Sequence, residues 1–376
     1  MGGWWWWWWV AAADPSDPLY TNWTKDRAPG VDIARNPIIE GSSDDPSTAW
    51  RTRHGEWRLL TNGDPNARSH AGLRSNSSFA PIYAARNFTG PWRYVGDSNM
   101  LAGECGSLFK LPALYPGTSA AGHQGPLPTH VHKRGCGPTA TDSTTRANCR
   151  AGLNDHMTLG FWSDGSGVND AGKFTAAGPE RSVDKGCLYA GKDLHDVPNG
   201  RRLFWGWITC TTAGAQTLPR VVTYHPTLRQ LVFSPAPELT KLHAGAPLAQ
   251  LGRTTLKAKV PLSLGSKAAK GAMAADWNIS FARPKGDATV GLTFNTNFDA
   301  EGGAMTVFVN HTAGASQVAV GVYDGGPQYP CPAGRDVLQL LPTDEELALR
   351  VFSDSHVPTP SNISLDPVTF PIDRLF

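Results

Sequence analysis

Glu104 and Cys105 lie between two glycines, Gly103 and Gly106, and the apolar stretch Leu108–Leu111 follows them. Glycine lets the backbone turn sharply and approach a ligand closely. The apolar residues predict a short buried strand. A carboxyl group beside an apolar wall keeps its proton longer, and it can therefore act as a general acid. Taken alone, the pair also fits a glutamate in a surface loop, so the surrounding motifs must decide between the two interpretations.

Further short motifs lie on both sides of Glu104, and they combine charged or aromatic residues with glycine or proline. In chain order they are Asp44–Arg51 (DDPSTAWR), Gly55–Leu59 (GEWRL), Asp184–Lys192 (DKGCLYAGK), Arg201–Trp207 (RRLFWGW) and Gln216–Arg220 (QTLPR). In this order and spacing they resemble glycoside hydrolase family 32, the invertases and fructan hydrolases. That family carries R-D-P-x-x-A-W, E-C, D-x-G-x-x-Y-A-x-K, W-G-W and I-P-R elements. The resemblance runs from about Asp14 to about Leu242 and continues more weakly through Phe376.

The resemblance implies roles for two carboxylates. Retaining glycosidases use a nucleophile and an acid/base that lie about 5–5.5 Å apart. Glu104 matches the acid/base of the family. Asp45 matches its third carboxylate, which holds two fructose hydroxyls and stabilises the oxocarbenium-like transition state.

Four more residues match substrate-binding positions of the family. Trp50 is expected to form a wall of the sugar pocket, and Cys105 to lie beside the acid/base. Asp184 and Lys192 match a segment that lines the same funnel, but a structural ion pair between them is an equally good interpretation. The resemblance implies sucrose or a fructan as the binding partner, and it implies no cofactor and no metal.

Two departures from the family pattern affect the expected activity. Asp44 stands where the family has arginine, which adds like charge beside Asp45 and should raise one pKa. No segment matches the W-M-N-D-P-N-G element that carries the nucleophile, and neither Asp14 nor Asp17 has its sequence context. We therefore expect the 376 residues as written to release no fructose above background. A propeller without its first strands should also expose an edge and aggregate.

The composition favours an all-β protein. Hydrophobic residues make up 40% and charged residues 18% of the 376 residues, with 40 glycines and 30 prolines. Many turns and few charges are typical of strand-rich folds. The net charge of +2 gives no reason to expect nucleic acid or an anionic membrane as partner. No apolar run has the length of a membrane span.

The cysteines and glycosylation sequons bear on the compartment. The six cysteines form no C-x-x-C pair, and Cys136 and Cys149 could form a disulfide or remain free thiols. Six sequons occur in the chain, at Asn22, Asn76, Asn87, Asn278, Asn310 and Asn362. Together with the family resemblance they favour a secreted protein, extracellular or vacuolar, although no signal peptide is evident.

The resemblance implies a five-bladed β-propeller, with the first blade and part of the second missing, followed by a C-terminal β-sandwich. We divide the chain into a tryptophan-rich start (1–13), which we leave out of the fold, a partial propeller (14–243) and the sandwich (253–376).

Trp205 and Trp207 are expected to be core residues. His130 and His132 resemble a metal pair, but no third ligand is evident and a strand that reaches the sheet surface explains them better.

Three functional hypotheses remain open from the sequence. The first is retaining hydrolysis of sucrose or fructans. The second is a fructosyltransferase on the same scaffold, which differs in the molecule that accepts the fructosyl group. The third is an inactive homologue that retains at most carbohydrate binding.

Overall fold

The computed structural model describes nine long stretches of the chain and five short pieces. The stretches are 45–61, 79–136, 154–167, 170–184, 188–208, 215–264, 274–295, 304–324 and 335–354, and the pieces are 7–8, 12–13, 21, 23–24 and 39–40. They consist of strands, loops and three short 3-10 turns, so the predicted all-β class is confirmed. The 3-10 turns are Ala120–Gly122, Val197–Asn199 and Pro237–Leu242.

The chain divides into two compact units. The first unit comprises Met1–Leu111, Gly125–Asp184 and Leu188–Asp193. The second unit comprises Pro112–Gln124, Lys185–Cys187 and Leu194–Phe376.

Four two-residue strands lie near the start of the first unit. They are β1 (Trp7–Trp8), β2 (Ala12–Ala13), β3 (Trp23–Thr24) and β4 (Ile39–Glu40). β1 pairs with β4 and β2 pairs with β3, both antiparallel. Residues 7–8 and 12–13 of the tryptophan-rich start are thus paired as short strands, and the proposed domain bounds stay predictions.

The next four strands form one antiparallel sheet of the first unit. They are β5 (Trp50–Arg51), β6 (Trp57–Leu60), β7 (Phe79–Ala85) and β8 (Arg93–Leu101), and they lie in chain order. Leu60 and Ile82 face each other across the β6–β7 pair and are almost wholly buried. With Met100 they form part of one hydrophobic cluster that also includes Leu108 and Phe174.

A second sheet of the first unit carries the Glu104 motif. Its strands are β9 (Glu104–Lys110), β10 (His130–Cys136), β11 (Asn154–Ser163), β12 (Lys173–Ala176) and β13 (Arg181–Ser182). The order is β12-β11-β10-β9, with β13 paired to β11. The predicted buried strand after Glu104 is confirmed, because Gly106–Phe109 are buried.

The second unit contains a further antiparallel sheet. Its strands are β14 (Leu188–Asp196), whose last three residues lie in this unit, β15 (Arg201–Ile208), β16 (Ala215–Gln216), β17 (Arg220–His225) and β18 (Gln230–Pro235). The order is β14-β15-β17-β18, with β16 paired to β15. Trp205 is half-buried and Trp207 is 48% exposed, so the prediction of a core position is wrong for Trp207.

The remaining strands of the second unit form two sheets around one core. They are β19 (Ala274–Ala282), β20 (Ala288–Asn295), β21 (Ala304–His311), β22 (Gln317–Asp324), β23 (Arg335–Gln339) and β24 (Glu346–Asp354). β19 pairs with β24, and β20-β21-β22-β23 form a four-stranded sheet. Buried Val307 and Val320 of one sheet share a hydrophobic cluster with Leu349 and Val351 of the other. Among the described residues, no helix is long and apolar enough to cross a membrane.

The two histidines of β10 differ in their surroundings. His130 is half-buried, whereas His132 is 3% exposed and its ring lies 5.9 Å from that of Phe174. The expectation of a surface strand is therefore wrong for His132. Within the described ranges no group of three His, Cys, Asp or Glu side chains could hold a metal ion.

Burial of His132 should make stability depend on pH. Desolvation lowers the pKa of His132 to about 3, well below its ordinary 6.5. Between these values the unfolded chain binds a proton that the folded chain does not, so the free energy of unfolding falls as pH falls below 6.5. At pH 5 the loss relative to pH 7 is about 2 kcal/mol.

The variant His132→Leu should remove this contribution, which denaturant titrations at pH 7 and pH 5 can measure. Phe174→Leu is the control, since it disturbs the same packing but keeps the imidazole, and its pH dependence should match that of the wild type. If His132→Leu kept the pH dependence of the wild type, His132 would not be the source of the stability lost at low pH.

Candidate active site at a bulge in strand β9

Strand β9 has an irregular register immediately after Glu104. Gly135 faces Glu104 and Lys133 faces Ser107, so three steps along β9 correspond to two steps along β10. One extra residue in one strand is a β-bulge, a feature that re-aims side chains and is frequent beside active sites. Cys105 lies in this bulge with a left-handed backbone, φ 52°.

Asp45 contacts the bulge directly. Its Oδ2 accepts a hydrogen bond of 3.0 Å from the backbone N–H of Cys105, which lies 60 residues further along the chain. Asp45 itself has φ 57°, a conformation that aspartate tolerates better than most residues. The structure therefore brings the Asp45 motif to the peptide that follows Glu104.

The glycines beside Glu104 are required by close packing. A Cβ atom on Gly103 would lie 2.5 Å from the backbone oxygen of Gly135, and one on Gly106 would lie 2.4 Å from Cδ1 of Leu60. Real Cβ contacts are essentially never that short. Both glycines therefore pack closely against protein atoms, and the predicted approach of this backbone to a ligand stays a prediction.

Gly103→Ala should destabilise the protein by about 1–3 kcal/mol, because a backbone atom must move to make room for the methyl group. Thermal or denaturant unfolding measures the effect. Gly178→Ala is the matched control, since a Cβ there would meet nothing within 4 Å. Equal stability of the two variants would show that the β9–β10 contact is loose.

Cys105 contributes a neutral thiol to the site. Burial, and then the negative charge of Asp45, raise the pKa of Cys105 to about 11, although Lys133 and Lys192 act in the opposite direction. A thiolate is the nucleophilic form of cysteine. Cys105 therefore acts here through its backbone rather than as a nucleophile.

Two buried charged residues that the sequence analysis did not identify, Lys133 and Asp155, hold the backbone at the bulge. Lys133 Nζ donates to the carbonyl oxygens of Cys105 at 3.0 Å and Gly191 at 2.7 Å. It also lies 3.1 Å from Asp155 Oδ2, which accepts the backbone N–H of Gly191 at 2.6 Å. Burial raises the pKa of Asp155, against the opposing influence of Lys133.

Of the Asp184–Lys192 segment, the C-terminal residue Lys192 reaches the site. Lys192 Nζ donates to the carbonyl oxygen of Pro46, next to Asp45, at 3.3 Å. The backbone carbonyl of Asp184 accepts hydrogen bonds from Asn154 Nδ2 at 3.1 Å and from Ser182 Oγ at 2.5 Å. Lys192 is thus brought to the Asp45 motif, whereas these contacts hold Asp184 against β11 and β13.

Trp50 lies half-buried at the start of the first sheet. Its ring meets that of Trp162 edge to face, with centroids 5.8 Å apart and an interplanar angle of 87°. Both rings pack against the hydrophobic cluster of the first unit. Among the described contacts its buried Nε1 has no hydrogen-bond partner.

Several sequence predictions concern positions outside the described residues. They include Asp44, Asp14 and Asp17, and also Cys149 and the side chain of Cys136, so the arginine replacement and the disulfide stay predictions. The sequence did contain one signal for the buried charge of Lys133. Lys133 and Arg134 are adjacent charged residues in a strand, so their side chains lie on opposite faces of β10.

Solved structures define the class of fold. The chain superposes on fructan 1-exohydrolase IIa from Cichorium intybus with a TM-score of 0.55 and 19% sequence identity, over 90% of this chain and 67% of that one. This likeness shows that the two proteins share a fold. No family model matches the chain.

Curated relatives are similar to the chain over about three fifths of its length. A β-fructofuranosidase of Arabidopsis thaliana, insoluble isoenzyme CWINV5, is 27% identical over 242 residues, 60% of this chain and 39% of that protein. Insoluble isoenzyme 2 of Oryza sativa subsp. indica is 26% identical over 251 residues, 62% of this chain and 39% of that protein. The resemblance to glycoside hydrolase family 32 is thereby confirmed. The chain spans about two fifths of the length of these relatives.

Proposed function

We propose that this protein carries part of the sugar site of a retaining β-fructofuranosidase, with sucrose or a fructan as substrate. The observation that carries the proposal is the 3.0 Å hydrogen bond between Asp45 Oδ2 and the N–H of Cys105. It joins the motif of the proposed stabiliser to the motif of the proposed acid. The relatives named β-fructofuranosidase support the same reaction class.

In the proposed reaction, Glu104 donates its proton to the glycosidic oxygen as the bond to the anomeric carbon breaks. Positive charge then develops on the anomeric carbon and the ring oxygen. The Asp45 carboxylate stabilises this charge and accepts hydrogen bonds from fructosyl hydroxyls. Retention further requires a carboxylate that attacks the anomeric carbon, and we assign that role to none of the described residues.

Trp50 and Lys192 complete the proposed pocket. An aromatic face packs well against the apolar side of a sugar ring, and Trp50 belongs to the same motif as Asp45 and is the first residue of β5. Lys192 supports the backbone at Pro46 and thereby the position of Asp45. We assign Asp184 to the rim of the same pocket on the basis of its motif alone.

We infer a five-bladed β-propeller for the sheets of residues 14–243 and a β-sandwich for residues 253–376. Consecutive antiparallel sheets in chain order support the propeller. A hydrophobic cluster shared by the β19–β24 pair and the β20–β23 sheet supports the sandwich. The sequons support a secretory route, to the extracellular space or a vacuole, and Asn87, Asn278 and Asn310 are exposed as glycosylation requires.

Calorimetric titration of residues 1–376 with sucrose tests the proposal, and maltose is the control because it lacks a fructosyl group. We expect binding of sucrose and an inulin fragment but not of maltose. Equal binding of all three, or binding of none, would overturn the proposed function.

Released fructose should be measured in the same samples, and we expect it to stay at background because no residue matches the attacking carboxylate of the family. Turnover that Glu104→Gln abolishes would show that another carboxylate serves as nucleophile. The identity of the acid would then be supported and the expectation of inactivity would be wrong.

A further inference from the structure

Four described residues of the first unit other than glycine adopt a left-handed backbone, namely Asn99 and one residue in each of the Asp44–Arg51, Glu104–Cys105 and Asp184–Lys192 motifs. In the three motifs the φ angles are 57° for Asp45, 52° for Cys105 and 50° for Ala190. Side chains with a Cβ atom adopt this conformation at a cost in free energy, and such residues persist only where their surroundings hold them. Something must therefore hold these three segments.

The buried pair of Lys133 and Asp155 contacts two of the three segments directly. Lys133 Nζ donates to the carbonyl oxygens of Cys105 and Gly191, at 3.0 Å and 2.7 Å. Asp155 Oδ2 lies 3.1 Å from Nζ and accepts the N–H of Gly191 at 2.6 Å. The peptide units after Cys105 and Ala190 are thus fixed to one ion pair.

The third segment is joined to the same pair through Cys105. The Cys105 residue donates its N–H to Asp45 and accepts from Lys133 with its carbonyl oxygen. A shift of the bulge would therefore move Asp45 and Glu104 together. Because Glu104 immediately precedes Cys105, the direction of its side chain depends on this peptide.

Both charges are removed from water, with side-chain exposures of 1% for Lys133 and 0% for Asp155. A buried ion pair rarely stabilises a protein more than well-packed apolar residues of the same size would. The hydrogen bonds of this pair impose one backbone arrangement, and the Cys105 and Gly191 carbonyls are the groups that it orders.

We propose that Lys133 and Asp155 are positioning residues that hold the Glu104–Cys105 bulge and the Ala190–Gly191 peptide in the geometry that the sugar site needs. The expected effect on sugar binding rests on the proposed function. The expected effect on the backbone geometry does not depend on that function. Neither residue is assigned a contact with the substrate.

The decisive variant is the double substitution Lys133→Met with Asp155→Leu, which removes both charges and leaves no unpaired ion. Its matched control is Arg134→Met with Glu180→Leu. Arg134 and Glu180 form an equally buried pair from the other face of β10, 2.7 Å apart, and Arg134 contacts the carbonyl oxygen of Ala102 rather than a left-handed residue.

Three quantities should be measured on the wild type and both double variants of residues 1–376. They are the denaturant midpoint of unfolding, the dissociation constant for sucrose, and the NMR backbone shifts of Cys105 and Ala190. For Lys133→Met/Asp155→Leu we expect changed shifts, and sucrose binding weakened about tenfold or more, because small displacements in a site are costly. We also expect a lower midpoint, because the backbone groups of Cys105 and Gly191 lose their hydrogen-bond partners. The control should keep both the shifts and the affinity.

Unchanged shifts at Cys105 and Ala190 in a folded Lys133→Met/Asp155→Leu protein would overturn the positioning role. Loss of affinity in the control to the same extent would do so too, since it would indicate a general effect of core charges. If the wild type binds no sucrose, the proposed function fails, and the NMR shifts alone then decide the positioning role.

Discussion

Asp45→Asn is expected to weaken sucrose binding by about 10- to 100-fold, because hydrogen bonds to a charged group contribute about 1.5–3 kcal/mol. Asparagine tolerates the left-handed backbone at this position almost as well as aspartate, and its side-chain oxygen can still accept the N–H of Cys105. The substitution therefore removes the negative charge and leaves the bulge in place. Calorimetric titration of the folded variant gives the change in dissociation constant.

The matched control for this substitution is Asp170→Asn in the same unit. Asp170 is exposed and accepts hydrogen bonds from the N–H groups of Ser166 and Gly172 in its own loop. Its loss should change the affinity by no more than about twofold, as for most surface positions. Unweakened binding in Asp45→Asn would remove Asp45 from the proposed site.

Arg134→Met is expected to lower the free energy of unfolding by about 3–5 kcal/mol, because it leaves the buried Glu180 carboxylate without its main cation and with only His156 Nδ1 at 3.7 Å. Arg134 is 1% exposed and donates two hydrogen bonds of 2.7 Å to the Glu180 carboxylate. Burial raises the pKa of Glu180, but the hydrogen bonds and charge of Arg134 outweigh burial and lower it overall. The ionised glutamate thus depends on Arg134.

Denaturant unfolding of Arg134→Met beside Arg181→Met measures this effect. Arg181 lies in the same unit on the exposed side of β13, so its loss should change stability by less than about 0.5 kcal/mol. A loss below about 1 kcal/mol in Arg134→Met would show that water or a rearranged loop replaces the guanidinium.

Local patterns in the sequence predicted much of the secondary structure. Leu108 and Phe109 of the apolar run after Glu104 lie in the buried part of β9, and the all-β class predicted from composition is found. These predictions succeed because strand formation depends on short-range alternation and on glycine and proline at the turns. The assignment of Asp45 and Glu104 to one sugar site came from the family motifs, because no local sequence pattern relates two residues so far apart.

The partners of the buried charges could not be predicted from the sequence. Lys133 is 28 residues from Cys105 in β9 and 58 from Gly191 in β14, so its partners are brought together only by the tertiary fold. The one-residue bulge decides which carbonyl faces Nζ. A charged residue inside a strand indicates an exposed face or a buried pair, and only the tertiary fold distinguishes these.

The prediction that Trp207 is a core residue was wrong for a related reason. Aromatic residues in a strand are usually core residues, and β15 is buried at Phe204 and Gly206. Trp207 lies on the opposite face of the same strand, which is exposed. Hydrophobicity alone does not determine which face of a strand is covered.

A crystal structure of the Glu104→Gln variant of residues 1–376 with sucrose bound tests the central claim most directly. We predict that the side-chain amide introduced at position 104 lies within about 3.2 Å of the glycosidic oxygen, and that the Asp45 carboxylate accepts hydrogen bonds from fructosyl hydroxyls. Sucrose bound elsewhere, or bound with its glycosidic oxygen away from position 104, would contradict the account.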